Sequence, residues 1–500
     1  MSLRIAYAGS IQIITQFATL FTGLAFVIII TRNLSVEEFG LWQVLGNTIG
    51  LAVIPIFPIG YWALRNISRG EDVGKTAVYS GIISIPIIIL GYIILLTFAS
   101  TIFEAGFNSP ILYLAVIAMV QIPFLVLIEP FKSIIRGTRP QFIGYSSLGF
   151  EIAKVSVAYY LVHINSLSLI GAIISLAAAQ LIQVLIMYYG SYNRIRGKFQ
   201  INVARSWISA SWIPFFGFGV SRIFLFDSLI VSLLAGTTII VGLYAACKTF
   251  TSIVRYSEIF QRILYPKLMK DKLSSDVTMT LKLQTLVQVP LAIGAFMLAE
   301  PLLGILKADY VQVANVLRLL IIVAIFEGIE NAVQNVLIGS EDSDRDINNL
   351  KFKILRKTWL FKLPLIDVFK SLLYVGGLAA IILIFKNTTD NITLALYWGI
   401  LYAGIVIPFT IFKYIAARSV MPFVFPKTQA IIYSIGGAIM VLFLQFYKNT
   451  FQWTQSGILE TIIYIIPPGI ISVGIYVIFV YIFEKDFRIL VQNLVKNISN

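Results

Sequence analysis

Fourteen long apolar stretches divide this chain, and most of its 38 Lys and Arg residues lie in every second gap between them. A helix needs roughly 20 apolar residues to cross the hydrocarbon of a bilayer. We therefore predict an all-α polytopic membrane protein with about 14 transmembrane helices. The predicted spans are Ile11–Ile30, Leu41–Ala63, Ala77–Ala99, Ile111–Ile134, Phe142–Val162, Leu167–Tyr189, Trp207–Leu234, Ile239–Phe260, Leu281–Leu306, Val311–Ile338, Leu360–Phe385, Ile392–Phe412, Ala430–Tyr447 and Ile458–Phe483.

The basic residues predict the orientation of the spans. Lys and Arg accumulate in the cytosolic connections of membrane proteins. The even-numbered connections and the two terminal segments hold 28 of the 38, with Lys282 and Lys413 assigned to helix ends there. The odd-numbered connections hold only Arg32, Lys307, Lys386 and Lys448. This alternation predicts a multi-pass protein of the cell membrane with both termini in the cytosol.

Composition narrows the function classes further. A mean hydropathy of +0.88 is typical of membrane proteins, so the net charge of +14 is assigned to the cytosolic loops and not to nucleic-acid binding. One cysteine, Cys247, and one histidine, His163, are too few for a disulfide framework or a His/Cys metal site. We predict no metal and no cofactor.

The connections leave no room for a separate catalytic domain. The predicted external connections are short, and the largest cytosolic gap, Gly339–Trp359, is acidic and then basic. The sequence has no Gly-rich nucleotide-binding loop of the Gly-x-x-x-x-Gly-Lys type, so we expect no direct use of ATP. We expect a protein that is not an enzyme and has no catalytic residues.

A short internal repeat organises the chain. Glycine, leucine and an aromatic residue occur together at Gly40 and again 202 positions later at Gly242, each time at the start of a predicted helix. Six spans per repeat unit would give two lobes that run in the same direction, with a cavity between them. We predict a six-helix lobe at residues 1–193, a cytosolic linker at 194–206, a second six-helix lobe at 207–417, and two extra transmembrane helices with a cytosolic tail at 418–500.

The run Thr31–Trp42 (TRNLSVEEFGLW) resembles the first-loop signature of the polysaccharide transporters, the Wzx-type lipid-linked oligosaccharide flippases. Val241–Ala246 and the later Tyr265-Pro266 resemble equivalents in the second lobe of that family. The resemblance implies the multidrug/oligosaccharidyl-lipid/polysaccharide exporter fold, in which two six-helix bundles alternate between inward-open and outward-open states. It also implies a glycan on a polyprenyl phosphate or pyrophosphate carrier as the substrate.

Polar side chains inside the spans are the candidate substrate contacts, because ionisable groups in a bilayer normally face a cavity or a partner. The eighth span carries a polar stripe at three- and four-residue steps: Tyr244, Lys248, Thr251, Ser252, Arg255 and Glu258. A phosphate needs fixed cations, and sugar hydroxyls need hydroxyls and amides. The candidate substrate-binding residues are Arg32, Arg222, Lys248, Arg255, Tyr244, Gln12, Gln16, Gln43 and Asn47.

Acidic residues inside the spans allow two interpretations. Asp227, Glu327 and Glu330 are candidates for ion coupling. Structural pairing is the alternative for charged residues, and it is favoured for Glu151/Lys154 and Asp367/Lys370, which are spaced i,i+3 on one helix face. The stripe that contains Lys248 and Arg255 is longer than a pair requires.

Three function classes remain. The first is a flippase that translocates polyprenyl-phosphate- or pyrophosphate-linked oligosaccharide from the inner to the outer leaflet by alternating access, for surface polysaccharide or glycoprotein assembly. The second is a cation-coupled multidrug exporter of the same fold, and the third is a membrane-embedded enzyme of glycan assembly. The expected partners are the lipid-linked glycan, membrane lipid and glycan-assembly enzymes, with no nucleic acid, and we expect a monomer.

Overall fold

The computed structural model of the protein describes residues 2–102, 109–216, 220–261, 264, 268, 273–340, 356, 358–454, 457–489 and 491–492. For residues 2–14, 16–17, 98–102, 109–111, 213 and 220–221 it describes the backbone alone. The candidates Gln12 and Gln16 are among these, so their side chains lie outside the described part. Tyr265 and Pro266 also lie outside it.

The described residues are helical and contain no strand, as the sequence predicts. A bilayer favours this architecture because a helix satisfies its own backbone hydrogen bonds. The helices of eight or more residues are α1 Ser2–Asn33, α2 Val36–Ala52, α3 Phe57–Ser68, α4 Gly74–Ile102, α5 Ser109–Ala118, α6 Gln121–Thr138, α7 Gln141–Ala158, α8 Ser168–Ser191, α9 Ile201–Ser209, α10 Phe226–Ala235, α11 Ile239–Arg255, α12 Ser274–Met297, α13 Ala299–Leu306, α14 Ala314–Gly339, α15 Trp359–Phe385, α16 Asn391–Val420, α17 Lys427–Thr450 and α18 Ile458–Phe483.

Ten helical segments in the described part are long and apolar enough to cross a membrane. They correspond to every predicted span except the first, fifth, seventh and eighth. The first retains a shorter apolar segment, Ala18–Asn33. The fifth continues from α7 into a π-helix at Tyr159–Ile164, and the eighth continues from α11 into a 3₁₀ segment at Tyr256–Phe260.

The seventh predicted span is not one continuous helix. Its described part is divided among α9, the short helix Trp212–Pro214, the 3₁₀ segment Val220–Leu225, and α10. The break between α9 and the short helix falls at Ala210 and Ser211. The count of 14 spans and the orientation of the termini stay predictions.

The chain forms two compact units. The first contains Met1–Gly242 and Asp367–Leu394, and the second contains Leu243–Ile366 and Ala395–Asn500. The lobe boundaries inferred from the sequence stay a prediction. In the first unit α7 packs between α1 and α8, and α6 packs against α3, α4 and α8.

The predicted pairing of Glu151 with Lys154 is confirmed in the first unit. Nζ of Lys154 lies 2.7 Å from Oε2 of Glu151, and both residues are buried. The hydroxyl of Thr22 on α1 donates to the same carboxylate oxygen at 2.6 Å, and the ammonium lies 5.3 Å from the ring centroid of Phe26. This pair therefore neutralises two charges where α1 and α7 meet.

Replacing Lys154 with methionine should lower the stability of the protein by about 3 kcal/mol, because it leaves Glu151 buried without its cation. The yield of monodisperse protein in detergent and its thermal midpoint report the loss. The double variant Lys154→Met/Glu151→Leu should recover most of it. A Lys154→Met protein as stable as the parent would show that the pair has no structural role.

The first-loop signature has a structural explanation. Ser35 and Glu38 form a capping box at the start of α2, with the backbone N–H of Glu38 donating to Oγ of Ser35 at 3.1 Å. In the capping box, Oε2 of Glu38 accepts a hydrogen bond from the backbone N–H of Ser35. The other carboxylate oxygen, Oε1, accepts a hydrogen bond from the hydroxyl of Ser168, the first residue of α8, at 2.7 Å. Leu34 and Phe39 are fully buried. The signature therefore ends α1, starts α2 and attaches both to α8.

The two glycines of the internal repeat contact each other where α2 crosses the start of α11. A Cβ on Gly40 would lie 1.9 Å from the carbonyl oxygen of Thr238 and 2.9 Å from the amide nitrogen of Gly242. A Cβ on Gly242 would lie 2.2 Å from the carbonyl oxygen of Val36. Only glycine allows two helix backbones to approach this closely.

In the second unit, α17 and α18 pack on α12 and are attached to it by ion pairs. The ammonium of Lys282 lies 2.6 Å from both Glu484 and Asp486, and Tyr433 donates to Glu484 at 2.6 Å. The hydrogen bond from Lys282 holds the pKa of the Asp486 carboxyl below its usual range. The two terminal helices are therefore an integral part of this unit.

A second buried ion pair in this unit joins Lys413 of α16 to Glu330 of α14. Lys413 is fully buried, with Nζ 2.6 Å from Oε1 of Glu330, and its assignment to the cytosolic side stays a prediction. Thr410, one turn earlier, donates to the other oxygen of Glu330 at 3.4 Å. The long helix α16 continues beyond the predicted span, which is why this lysine lies in the interior.

Candidate functional site

The polar stripe of the eighth predicted span lies on α11, in the second unit, and most of it faces one cavity of about 270 Å³. Two cations two turns apart on α11 face this cavity, Lys248 and Arg255. Tyr402 of α16 and Glu327 of α14 contribute the opposite walls. The lining residues are Lys248, Thr251, Ser252, Arg255, Leu320, Glu327 and Tyr402.

Carboxylates accompany the cations of this cavity. Nε of Arg255 lies 3.2 Å from Oε1 of Glu258, and Asn331 on α14 donates to the other oxygen of Glu258 at 3.1 Å. The hydroxyl of Tyr402 donates to Oε1 of Glu327. Lys248, Arg255 and Glu327 line the cavity and Glu258 lies behind Arg255, so basic, acidic and hydroxyl groups are all within reach of a ligand there.

Aromatic rings support the Lys248 side of the cavity. The ammonium of Lys248 lies 5.2 Å from the ring centroid of Tyr244 and 5.5 Å from that of Tyr402. Tyr244 is buried and stacks on Trp398 of α16, with ring centroids 3.9 Å apart and nearly parallel planes. These contacts place the exposed ammonium of Lys248 near two aromatic rings, whose faces attract a cation.

The structure brings Lys248, Arg255 and Glu327 together, and it places Tyr244 beneath them and not on the cavity surface. Glu330 is on α14 with Glu327, but its carboxylate is bonded to Lys413. Glu327 and Glu330 are the two ion-coupling candidates that lie in the described part of the second unit. Glu327 faces the cavity, and Glu330 contacts its structural partner Lys413.

The other described candidates belong to the first unit, and none of them lines this cavity. Arg222 is exposed in the 3₁₀ segment before α10, with its guanidinium 5.2 Å from the ring centroid of Phe57. Arg32 is half-buried in the last turn of α1, and Gln43 is half-buried on α2.

Two further candidates of the first unit lie at α10, Asp227 within it and Asn47 in contact with it. The amide of Asn47 on α2 donates to Ser228 at 2.8 Å. The buried carboxylate of Asp227 accepts a hydrogen bond from the Tyr374 hydroxyl at 3.0 Å and another from the backbone N–H of Ser228 at 2.5 Å. Lys370, predicted to pair with Asp367, lies 5.8 Å from the ring centroid of Phe224, and that pairing stays a prediction.

Sequence reasoning missed Tyr402 and Trp398. They are spaced i,i+4 in an apolar span, a pattern that more often indicates helix packing than a site. Their matching partners on α11, Tyr244 and Lys248, have the same spacing, and only the packing of α11 against α16 joins the two pairs.

No family model matches this chain, and no protein of curated function matches it. Solved structures do match this chain. The lipid II flippase MurJ in an inward closed conformation has a TM-score of 0.64 and 16% identity, covering 95% of this chain and 99% of that one. An inward-facing multidrug resistance MATE family transporter of the MOP superfamily has a TM-score of 0.59 and 14% identity, covering 81% of this chain and 95% of that one.

The chain shares the fold of these two solved structures. At these identities the likeness concerns the fold alone. It extends over nearly the whole of both chains in the first comparison and confirms the all-helical, multi-pass architecture predicted from the sequence.

Proposed function

We propose that the protein is a flippase, which moves oligosaccharide linked to polyprenyl phosphate or pyrophosphate from the inner to the outer leaflet by alternating access. The observation that carries this proposal is the cavity of the second unit. There Lys248, Arg255 and the hydroxyls of Thr251 and Ser252 share a cavity with Glu327 and Tyr402, which lie on two helices long and apolar enough to cross a membrane. Fixed cations and hydroxyls are the groups that a phosphorylated sugar headgroup needs. The likeness in fold to a lipid II flippase supports the same class.

In this proposal the headgroup crosses through the protein and the polyprenyl tail stays in lipid. The cavity cations remain in place and lower the cost of desolvating the phosphate. Each negative charge that moves outward gains roughly 2.3 kcal/mol per 100 mV when the cytosol is negative. The membrane potential can therefore drive the reaction, and surface polysaccharide or glycoprotein assembly would consume the product.

A cation-coupled multidrug exporter is the second candidate, and Glu327 favours it. This carboxylate faces the cavity and accepts a hydrogen bond from Tyr402, which suits an ion-coupling site. An exporter would move organic cations against a proton or sodium gradient and would not respond to a lipid-linked glycan. A glycan-assembly enzyme is the least supported class.

Replacing Lys248 with alanine should reduce transport by about ten- to a hundredfold, because a charge-assisted contact to a phosphate is worth roughly 1.5–3 kcal/mol. Folding should be unaffected because the side chain is exposed on α11. The measurement is the movement of a labelled lipid-linked glycan across proteoliposomes that contain the purified protein. Lys132→Ala is a matched control, since Lys132 is also partly exposed but lines no part of the cavity.

The same proteoliposomes test the driving force. A potential that is negative on the cytosol-equivalent side should speed movement toward the positive side, and valinomycin with potassium should abolish the gain. A rate that ignores voltage but follows a proton or sodium gradient would contradict the potential-driven mechanism. Full activity of Lys248→Ala would remove that residue from the site, and transport of organic cations alone would establish the exporter.

A further inference from the structure

The guanidinium of Arg255 already has an anionic partner in the cavity where the substrate phosphate is proposed to bind. Glu258 follows Arg255 by three positions and contacts it at 3.2 Å. About half of the Arg255 side chain is exposed, against 19% of that of Glu258. The cation therefore faces the cavity, while its counterion lies deeper in the wall.

The local backbone conformation explains the position of the Glu258 carboxylate. The α-helix α11 ends at Arg255, and the chain continues in the 3₁₀ segment Tyr256–Phe260, which contains Glu258. The tighter 3₁₀ geometry brings residues i and i+3 into line, and so directs Glu258 toward Arg255. Asn331 holds the other carboxylate oxygen of Glu258, so this side chain has a second partner if it leaves Arg255.

Glu327 on the facing helix is engaged separately by Tyr402. It interacts with Arg255 electrostatically, and among the described residues Glu258 is the carboxylate within ion-pair distance of Arg255. An incoming phosphate that approaches Arg255 therefore meets one carboxylate in direct contact and a second one nearby.

We propose that Glu258 is a built-in counterion of Arg255, which the substrate phosphate displaces on binding and which recaptures Arg255 to release the lipid. This inference rests on the proposed function and assigns the regulation of its site. A site that binds and releases a substrate in each cycle must hold it only moderately tightly. Competition from Glu258 weakens binding to Arg255, and Asn331 stabilises the displaced carboxylate in the meantime.

The test is the binding of a fluorescent polyprenyl diphosphate to the full-length protein in nanodiscs, with the neutral polyprenol as the control ligand. Glu258→Gln should raise the affinity for the diphosphate roughly three- to tenfold, because the competing charge is lost. Its dissociation rate should fall by a similar factor, and transport in proteoliposomes should slow. A merely structural role of Glu258 would not make binding tighter.

Glu129→Gln is the matched control, since Glu129 forms the same kind of i,i+3 pair with Lys132 at 3.3 Å and lines no part of the cavity. It should leave affinity and dissociation unchanged. If Glu258→Gln is obtained in too low a yield, Glu258→Asp keeps the charge, shortens the side chain by one methylene, and should give a smaller gain in affinity. Arg255→Gln should cancel the effect of either substitution.

The outcomes separate this inference from the proposed function. If the parent protein binds the diphosphate, loses binding on Arg255→Gln, and shows equal or weaker binding on Glu258→Gln, the counterion role is wrong and the flippase site stands. If the parent binds diphosphate and polyprenol equally and no cavity variant changes this, the proposed function is wrong and the inference falls with it.

Discussion

Replacing Lys413 with methionine should lower the free energy of unfolding by about 3–5 kcal/mol, the usual cost of removing one partner from a buried ion pair. Lys413 is fully buried, and its ammonium contacts Glu330 at 2.6 Å. The contacts of this carboxylate with Thr410 and Gln334 are longer, at 3.4 Å each. Denaturant titration in mixed micelles measures the loss, and thermal midpoints should fall in parallel.

The double variant Lys413→Met/Glu330→Leu should recover stability close to that of the parent, because well-packed apolar residues commonly replace a buried pair without loss. It also separates the two interpretations of Glu330. A double variant that is stable and transports normally would make Glu330 purely structural, and one that is stable but inactive would assign it to ion coupling. Parental stability in the Lys413→Met variant would contradict the buried pair itself.

Replacing Gly40 with alanine should destabilise the protein by roughly 1–3 kcal/mol, the usual range for an atom forced into a well-packed contact. The added Cβ would overlap the Thr238 carbonyl oxygen at 1.9 Å, and a backbone atom cannot rotate aside as a flexible side chain can. We expect α2 to be pushed away from the start of α11, with loss of the hydrogen bond from Thr238 to the carbonyl of Glu37 at 2.7 Å. The thermal midpoint of the purified protein and its transport rate report this change.

Gly46→Ala on the same helix is the control, and its expected sign is opposite. A Cβ at Gly46 would have nothing within 4 Å. Alanine should therefore stabilise α2 by about 1 kcal/mol through helix propensity alone. Equal effects of the two substitutions would show that the close approach at Gly40 does not exist in the folded protein.

Patterns in the sequence are sufficient to predict the class of molecule and the local chemistry. Long apolar stretches force helices, because a lipid-exposed backbone must satisfy its own hydrogen bonds. The i,i+3 spacing of Glu151 and Lys154 was enough to predict their ion pair, since a single helix brings these positions together. The three- and four-residue steps along α11 likewise predicted one polar face carrying Lys248 and Arg255.

Which helix faces contact each other depends on how the helices pack in three dimensions. Glu330 and Lys413 are 83 positions apart, and Gly40 and Gly242 are in different helices, so no local spacing relates either pair. In a soluble helix the apolar stripe identifies the buried side. Here the lipid-facing and protein-facing sides of a span are both apolar, so the pattern does not reveal its neighbours. The walls that Tyr402 and Glu327 add to the cavity depend on helix packing, which is set by shape and by polar contacts between distant parts of the chain.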